Sequence, residues 1–238
     1  MILHRPISRR HVLRTGAALT ALSALSPARM AMADPTGDPF VLRAASGQAA
    51  LRPLPYGPTN VWSYSGSVPG PEIRVRQGDR IRVLAQNGLD EGTTIHWHGI
   101  RTPNAMDGVP FLTQDPIPVD GDFLYEFDAL DAGTFWYHPH QRSSEQVGRG
   151  LYGPLIVEEV DPIRVDRDLT WMLDDWRMTR AGQLSDDFGN RHDAMHGGRI
   201  GNSVTIDGEI PERISVQSGE RIRLRLINAA NARIFGLD

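Results

Sequence analysis

The stretch GDRIRVLAQN at residues 78–87 decides the fold class. A Gly-Asp turn precedes apolar residues at alternate positions, Ile81 and Val83, which is the pattern of a β-strand with one buried face. The same alternation recurs at 73–75 and 123–127, between segments rich in Gly and Pro. The chain is therefore predicted to be all-β and to form a β-sandwich.

This stretch has a second copy further along the chain. GERIRLRLIN at 219–228 aligns with residues 78–87, and the shift from 78 to 219 gives an offset of 141. The apolar pair at 73 and 75 maps onto Ile214 and Val216 by the same offset. Repeats this far apart indicate duplicated domains rather than a short solenoid repeat. Two unrelated hairpins with similar turns are the alternative.

The repeat divides the chain into two units. Residues 34–159 are predicted to form the first domain, and Val160-Asp161-Pro162 is the expected joint. Residues 160–238 are expected to form only part of a second domain, because a sandwich takes about 100 residues and this unit is shorter. We expect that partial domain to leave an unpaired strand edge and an uncovered apolar face over 222–235.

Composition excludes several classes of protein. The 238 residues include 25 basic and 29 acidic side chains, so the net charge of −4 gives no basic surface for nucleic acid. The sequence has no cysteine, which rules out disulfides and thiolate metal sites within it.

The first 33 residues have the pattern of an export signal. Arg9 and Arg10 precede an apolar run over 16–25, and the small residues at 31–33 suit a cleavage site. The paired arginines resemble a twin-arginine (Tat) signal. A membrane anchor is the alternative, but the apolar run is only about half of the ~18 residues that a spanning helix needs. We therefore expect a periplasmic or secreted protein that has no membrane segment in its mature form.

Two histidine pairs carry the candidate chemistry. His96 and His98 are separated by one residue, as are His138 and His140. On a strand this spacing points both imidazoles of a pair to the same face. Two such pairs can supply four neutral imidazoles to a metal ion, and copper, zinc, iron and nickel all accept that ligand. A single pair would equally suit hydrogen-bonded surface histidines.

The motifs around these histidines resemble the multicopper oxidases of the laccase-like, exported bacterial type. TIHWHGI followed by DGVP, and GTFWYHPHQ followed by GLYGPLIVE, match that family, as does WSYSGSVPGPEIRV upstream. The resemblance covers roughly residues 60–160 and returns weakly at 200–235, in GNSVTIDG and LINAANAR. It implies cupredoxin-like (plastocyanin-like) Greek-key sandwiches, one complete domain followed by an incomplete one.

The resemblance also implies a copper centre that reduces dioxygen to water while a small donor, such as a phenol or a metal ion, is oxidised. In this family eight histidines hold the centre, and the first domain supplies four of them. By position in the motifs, His96 would bind the type 2 copper, and His98, His138 and His140 would bind the type 3 pair.

Other residues are further candidates. Asp107 stands where several family members have an acid that moves protons, although a turn aspartate before Gly108 is an equal alternative. His192 and His196 could belong to a copper-capturing loop with three methionines. Those methionines, which are also common core fillers, are Met172, Met178 and Met195.

The sequence departs from the family pattern in one respect. It has neither the H-C-H motif, whose cysteine binds the type 1 copper, nor a third histidine pair. We therefore expect the N-terminal part of a copper-dependent oxidase, inactive as this chain alone. Alternatives are an exported copper-binding protein without turnover and a copper-free cupredoxin scaffold that works in protein interaction. The reducing substrate and the oligomeric state stay open.

Overall fold

A computed structural model describes residues 31–32, 37–211 and 213–236. Within them strands are the main regular structure, together with a 3-10 turn at Asn104–Met106 and two short helices, α1 (Ser143–Gly148) and α2 (Arg191–Met195). The strands are β1 (Ala31–Met32), β2 (Phe40–Ala49), β3 (Thr59–Tyr64), β4 (Ile73–Arg76), β5 (Arg80–Gly88), β6 (His96–His98), β7 (Asp122–Asp128), β8 (Gly133–His138), β9 (Gly153–Glu158), β10 (Arg167–Trp176), β11 (Ser203–Ile206) and β12 (Ile222–Asn228).

The first nine strands form two sheets that face each other. One sheet has the order β1-β4-β9-β8-β6 and the other the order β3-β2-β5-β7. The alternating apolar residues of both sheets meet in one core, in which Ile81, Trp97, Phe127 and Tyr137 are fully buried. The prediction of an all-β sandwich is confirmed.

The third sheet repeats part of the second. Its order is β11-β10-β12, with β10 antiparallel to β11 and parallel to β12. In the first unit β2 is likewise antiparallel to β3 and parallel to β5. The repeated stretches at 78–87 and 219–228 thus supply corresponding strands, β5 and β12. This agreement in strand pairing favours duplication over two unrelated hairpins.

The repeat is weaker at its upstream end. Residues 73 and 75 lie in β4, which pairs with β9, whereas Ile214 and Val216 lie outside any strand and are exposed. The sequence match of this apolar pair is therefore not accompanied by a matching strand at 214–216. Extended backbone becomes a strand only when a neighbour completes its hydrogen-bond ladder, and 214–216 have no such neighbour among the described residues.

The side chains of β12 alternate between a buried face and an exposed face. Arg225 and Ile227 point inward and are buried, whereas Leu224 and Leu226 on the other face are 40% and 46% exposed. The expected exposed apolar residues on this strand are therefore present. β12 lies at the edge of its sheet as the structure describes it.

The expected joint at 160–162 falls between β9 and β10. Most of the predicted signal segment lies outside the described residues, apart from the short strand at 31–32, which pairs with β4. Among the described residues, no helix has the length and apolar character needed to cross a membrane.

Candidate metal centre

Two neighbouring strands hold the histidine pairs. β6 pairs with β8 in antiparallel register, and His96 lies directly opposite His138. Trp97 points into the sandwich core and is fully buried, so His96 and His98 share the opposite face of β6. β8 ends at His138, and Pro139 follows at the strand end, where a residue without an N–H group is tolerated.

The register brings imidazole nitrogens of different pairs together. Nδ1 of His98 lies 3.2 Å from Nε2 of His138. Two imidazole nitrogens bound to one metal ion at about 2.0 Å each lie roughly 3 Å apart, so this separation suits a shared ion. His98 belongs to the first histidine pair and His138 to the second, so each pair would supply one ligand to the ion.

A second grouping overlaps the first. Ring nitrogens of His96, His138 and His140 all lie within 4.8 Å of one another, and this is the single group of three or more potential metal ligands found in the described part of the chain. The rings of His96 and His140 are closest, with centroids 4.1 Å apart. His138 belongs to both groupings, so the four side chains form one continuous array.

Backbone carbonyls fix which nitrogen of two rings carries the proton. Nδ1 of His96 lies 2.7 Å from the carbonyl oxygen of Asp107, and Nδ1 of His138 lies 3.1 Å from that of Pro139. A carbonyl oxygen only accepts, so both Nδ1 atoms must donate. Nε2 of each ring is therefore left with a free lone pair, the state in which imidazole binds a metal.

Burial reinforces this neutral state. It lowers the pKa of His138 to about 3, and it is also the main cause of the lowered pKa values of His98 and His140. Neighbouring imidazoles, His96 above all, lower these values further, since two positive rings would repel each other. These histidines are thus uncharged at neutral pH and available as ligands.

A tight turn places Asp107 against His96. The 3-10 turn ends at Asp107, whose carboxylate Oδ1 lies 3.4 Å from Nδ1 of His96 and accepts a hydrogen bond from Thr102. Gly108 has a positive φ of 73°, and a Cβ atom there would lie 1.9 Å from the carbonyl oxygen of Ile95. Only glycine lets the turn approach β6 this closely.

Supporting residues that sequence reasoning did not find surround the array. The Thr94 hydroxyl is fully buried and accepts a hydrogen bond from the backbone N–H of His140, which ties the second pair to the strand of the first. Trp136 stacks on the His138 ring with centroids 4.1 Å apart. The buried Gln146 of α1 accepts from the Thr93 hydroxyl and so anchors the same segment.

The donor set fits a copper ion. It consists of neutral imidazoles with free lone pairs, which suit copper, zinc or nickel, and the chain offers no thiolate. The structure thus brings together all four predicted histidines and places Asp107 beside them. It leaves His192 and His196 elsewhere, in α2 and directly after it, between β10 and β11.

Comparisons with known proteins agree with this geometry. The sequence profile described as multicopper oxidase matches residues 47–161. Residues 47–161 belong to the multicopper oxidase family. The solved multicopper oxidase from Pseudomonas thermotolerans superimposes with a TM-score of 0.78 at 41% identity, over 82% of this chain and 47% of that structure. The cupredoxin-like fold predicted from the motifs is confirmed.

Curated relatives of the multicopper oxidase domain point the same way. Copper resistance protein A homolog from Pseudomonas syringae pv. tomato is 46% identical over 114 residues, which are 47% of this chain and 19% of that protein. Multicopper oxidase MmcO from Mycobacterium tuberculosis is 34% identical over 196 residues, 71% of this chain and 38% of that protein. The chain thus spans less than half the length of each of these relatives.

Proposed function

We propose that this chain supplies half of the histidine ligands of a copper centre in an oxidase that couples one-electron oxidation of a phenol or metal ion to reduction of dioxygen to water. The observation that carries the proposal is the convergence of His96, His138 and His140, with His98 in contact with His138. The multicopper oxidase domain around them supports copper as the metal. In this proposal the chain is the N-terminal part of the oxidase.

The residue roles are taken from the positions of the histidines in the family motifs, and one contact supports them. His98 and His138 would share one type 3 copper, since their nitrogens are at the spacing of two ligands on one ion. His140 would bind the other type 3 copper, and His96 the type 2 copper. When bound, copper would supply the redox chemistry that passes four electrons to dioxygen.

Asp107 would serve the same reaction as a proton carrier. Reduction of dioxygen to water consumes four protons as well as four electrons. The Asp107 carboxylate lies beside His96, is only partly buried and can exchange protons with water. Its backbone carbonyl holds His96 in the ligand tautomer independently of the carboxylate. Asp107→Asn should therefore slow proton delivery in an intact oxidase while leaving copper binding in place.

A second function is copper binding without turnover. It is favoured by the absence of cysteine from all 238 residues and by the relatives named copper resistance protein A. Oxygen uptake by the copper-loaded chain with a phenolic donor tests whether this chain turns over by itself. We expect uptake by this chain alone no faster than that of free copper, because the chain lacks the cysteine that would bind the electron-accepting type 1 copper. Fast turnover by the purified chain would show that the expectation of inactivity is wrong.

The proposal is completed by export through the predicted signal at residues 1–33. Relatives named for copper resistance fit a protein that works outside the cytoplasm. Sequencing the N-terminus of periplasmic or secreted material should find a chain that begins near Asp34. Retention of the first 33 residues in a membrane fraction would contradict export of a cleaved form.

A further inference from the structure

We infer that His192 and His196 form a second, independent metal site on the surface. The site would bind one divalent transition-metal ion of the kind that accepts imidazole ligands. The two residues are four positions apart in the sequence HDAMH: His192 lies in α2, and His196 directly follows the last residue of the helix. The i, i+4 spacing on a helix places two side chains on one face and is a recurrent metal-ligating arrangement.

The geometry of the two rings supports this assignment. Their planes lie 21° from parallel, with centroids 4.4 Å apart, so the imidazoles already occupy neighbouring positions. Nδ1 of His196 lies 3.0 Å from the backbone carbonyl oxygen of His192. Since that oxygen only accepts, Nδ1 carries the proton and Nε2 of His196 keeps its lone pair for a metal.

The helix is held in place by contacts that do not use these rings. Asn190 caps α2 by accepting a hydrogen bond from the Asp193 backbone N–H. The Asp193 carboxylate accepts two hydrogen bonds from the guanidinium of Arg177, at 2.8 and 2.9 Å. A ligand pair on an anchored turn loses less freedom when it binds an ion than a pair on a loose loop.

Both rings are exposed, so water can complete the coordination of a bound ion. Met172 and Met178 take no part, since both are buried in an apolar cluster with Trp176 and Ile227. Of the three methionines in the proposed capturing loop, only Met195 is exposed beside the two imidazoles. The site would sit apart from the four-histidine array and would not depend on it.

The test uses the full chain and Zn²⁺ alone, a redox-inert probe, with stoichiometry and affinity measured by equilibrium dialysis and metal analysis. His192→Ala with His196→Ala should bind one Zn²⁺ fewer per chain than the unaltered protein. Each single variant should bind that ion at least about tenfold more weakly, because loss of even an outer partner of a ligand costs about 10–100-fold in affinity. His138→Ala should retain the α2 ion.

A spacing control keeps the number of histidines constant. His196→Ala combined with Gly197→His moves the second imidazole from i+4 to i+5, off the shared face. Gly197 has room for a side chain, since a Cβ atom there would lie 3.7 Å from its nearest neighbour, Ile200. We expect this variant to lose the ion as the double alanine variant does. Zn²⁺ binding of unchanged stoichiometry and affinity in either variant would overturn the inference, whether or not the four-histidine array binds copper.

Discussion

Nδ1 of His98 and Nε2 of His138 lie 3.2 Å apart, although the two residues are 40 positions apart in the sequence. The antiparallel register of β6 and β8 sets this distance. His138 donates its Nδ1 proton to the Pro139 carbonyl, so its Nε2 presents a lone pair to His98. A metal ion between the two rings would take the place of the His98 Nδ1 proton, and the neutral His98 ring would then carry its proton on Nε2.

The His138→Ala variant should weaken copper binding more than a change at any of the other three histidines. His138 is the most buried of the four and belongs to both close groupings of ring nitrogens. We expect affinity to fall by at least about tenfold. Competition with a copper chelator measures it. Arg101→Ala, which removes an exposed ion pair with Asp131 nearby, is the control and should leave affinity unchanged. Equal affinities in His138→Ala and the control would refute the role of His138.

Thr94 should act as a positioning residue for His140. Thr94→Val keeps the shape but leaves the His140 backbone N–H without its partner, at a cost of about 1–3 kcal/mol in unfolding free energy. Copper affinity should fall with it, and Thr94→Ser, which keeps the hydroxyl, should restore both.

The neighbouring Thr93→Val variant is the matched control. It removes the hydrogen bond to Gln146 but none to His140, so it should lower stability with a smaller loss of copper affinity. Denaturant unfolding of the metal-free chain gives the stability, and chelator competition gives the affinity. If Thr93→Val and Thr94→Val lose copper affinity equally, Thr94 has only a structural role.

Gly108→Ala should damage both the fold and the metal centre. The new methyl group would overlap the Ile95 carbonyl and force the Asp107 turn away from His96, in addition to the strain of the positive φ. Gly78 is the control, because it also has a positive φ, of 95°, but open space surrounds the position of a new Cβ atom. Gly78→Ala should therefore lower the unfolding free energy only by the conformational cost of about 1 kcal/mol. Thermal unfolding should show a clearly larger loss for Gly108→Ala. Equal losses would mean that the turn can move without cost.

Asp174 should make stability depend on pH. Burial raises its pKa to about 7, from an ordinary value of 3.8, so the folded chain keeps a proton that the unfolded chain releases above about pH 4. The contribution of Asp174 to the unfolding free energy should therefore decrease as pH rises from about 4 to about 7, and level off above that. Burial raises the pKa of Asp207 to about 6, which adds to the same trend. Burial lowers the pKa of His138 to about 3, so this histidine acts in the opposite direction over much of the same window. Glu159, whose pKa is lowered to about 2 by its hydrogen bonds from Arg223, acts mainly below this window.

Asp174→Asn separates the contribution of Asp174 from the rest. The amide keeps the oxygen that accepts from the Asp175 backbone N–H, but it does not ionise. Denaturant unfolding at a series of pH values should show the unaltered chain losing stability relative to this variant between pH 4 and 7, since the contributions of Asp207 and His138 are common to both. An unchanged pH profile in this variant would contradict the assignment to Asp174.

The sequence predicted the parts of the fold that depend on local pattern. Alternating residues such as Ile81 and Phe127 identified buried strand faces, and the repeat at 78–87 and 219–228 identified corresponding strands. The i, i+2 histidine pairs predicted shared faces for the same reason. Ile214 and Val216 show the same alternation but lie outside any strand. A strand also needs a neighbouring strand to hydrogen-bond with, and the alternation of side chains does not specify that neighbour.

The supporting contacts of the site could not be predicted in this way. The link between Thr94 and His140 and the stacking of Trp136 on His138 depend on the strand register and on the path of the chain after Pro139. A buried threonine beside a histidine motif resembles any other strand residue until the register is known. The Asp107 turn was easier to predict, because a glycine such as Gly108 indicates that the turn lies close to another backbone segment, here Ile95.

A crystal structure of the copper-loaded full chain, with anomalous diffraction measured at the copper absorption edge, tests the central claim most directly. The account predicts anomalous density among the ring nitrogens of His96, His98, His138 and His140, with no thiolate ligand, because the chain has no cysteine. Density confined to the surface at His192 and His196, with none at the four-histidine array in copper-saturated crystals, would contradict it.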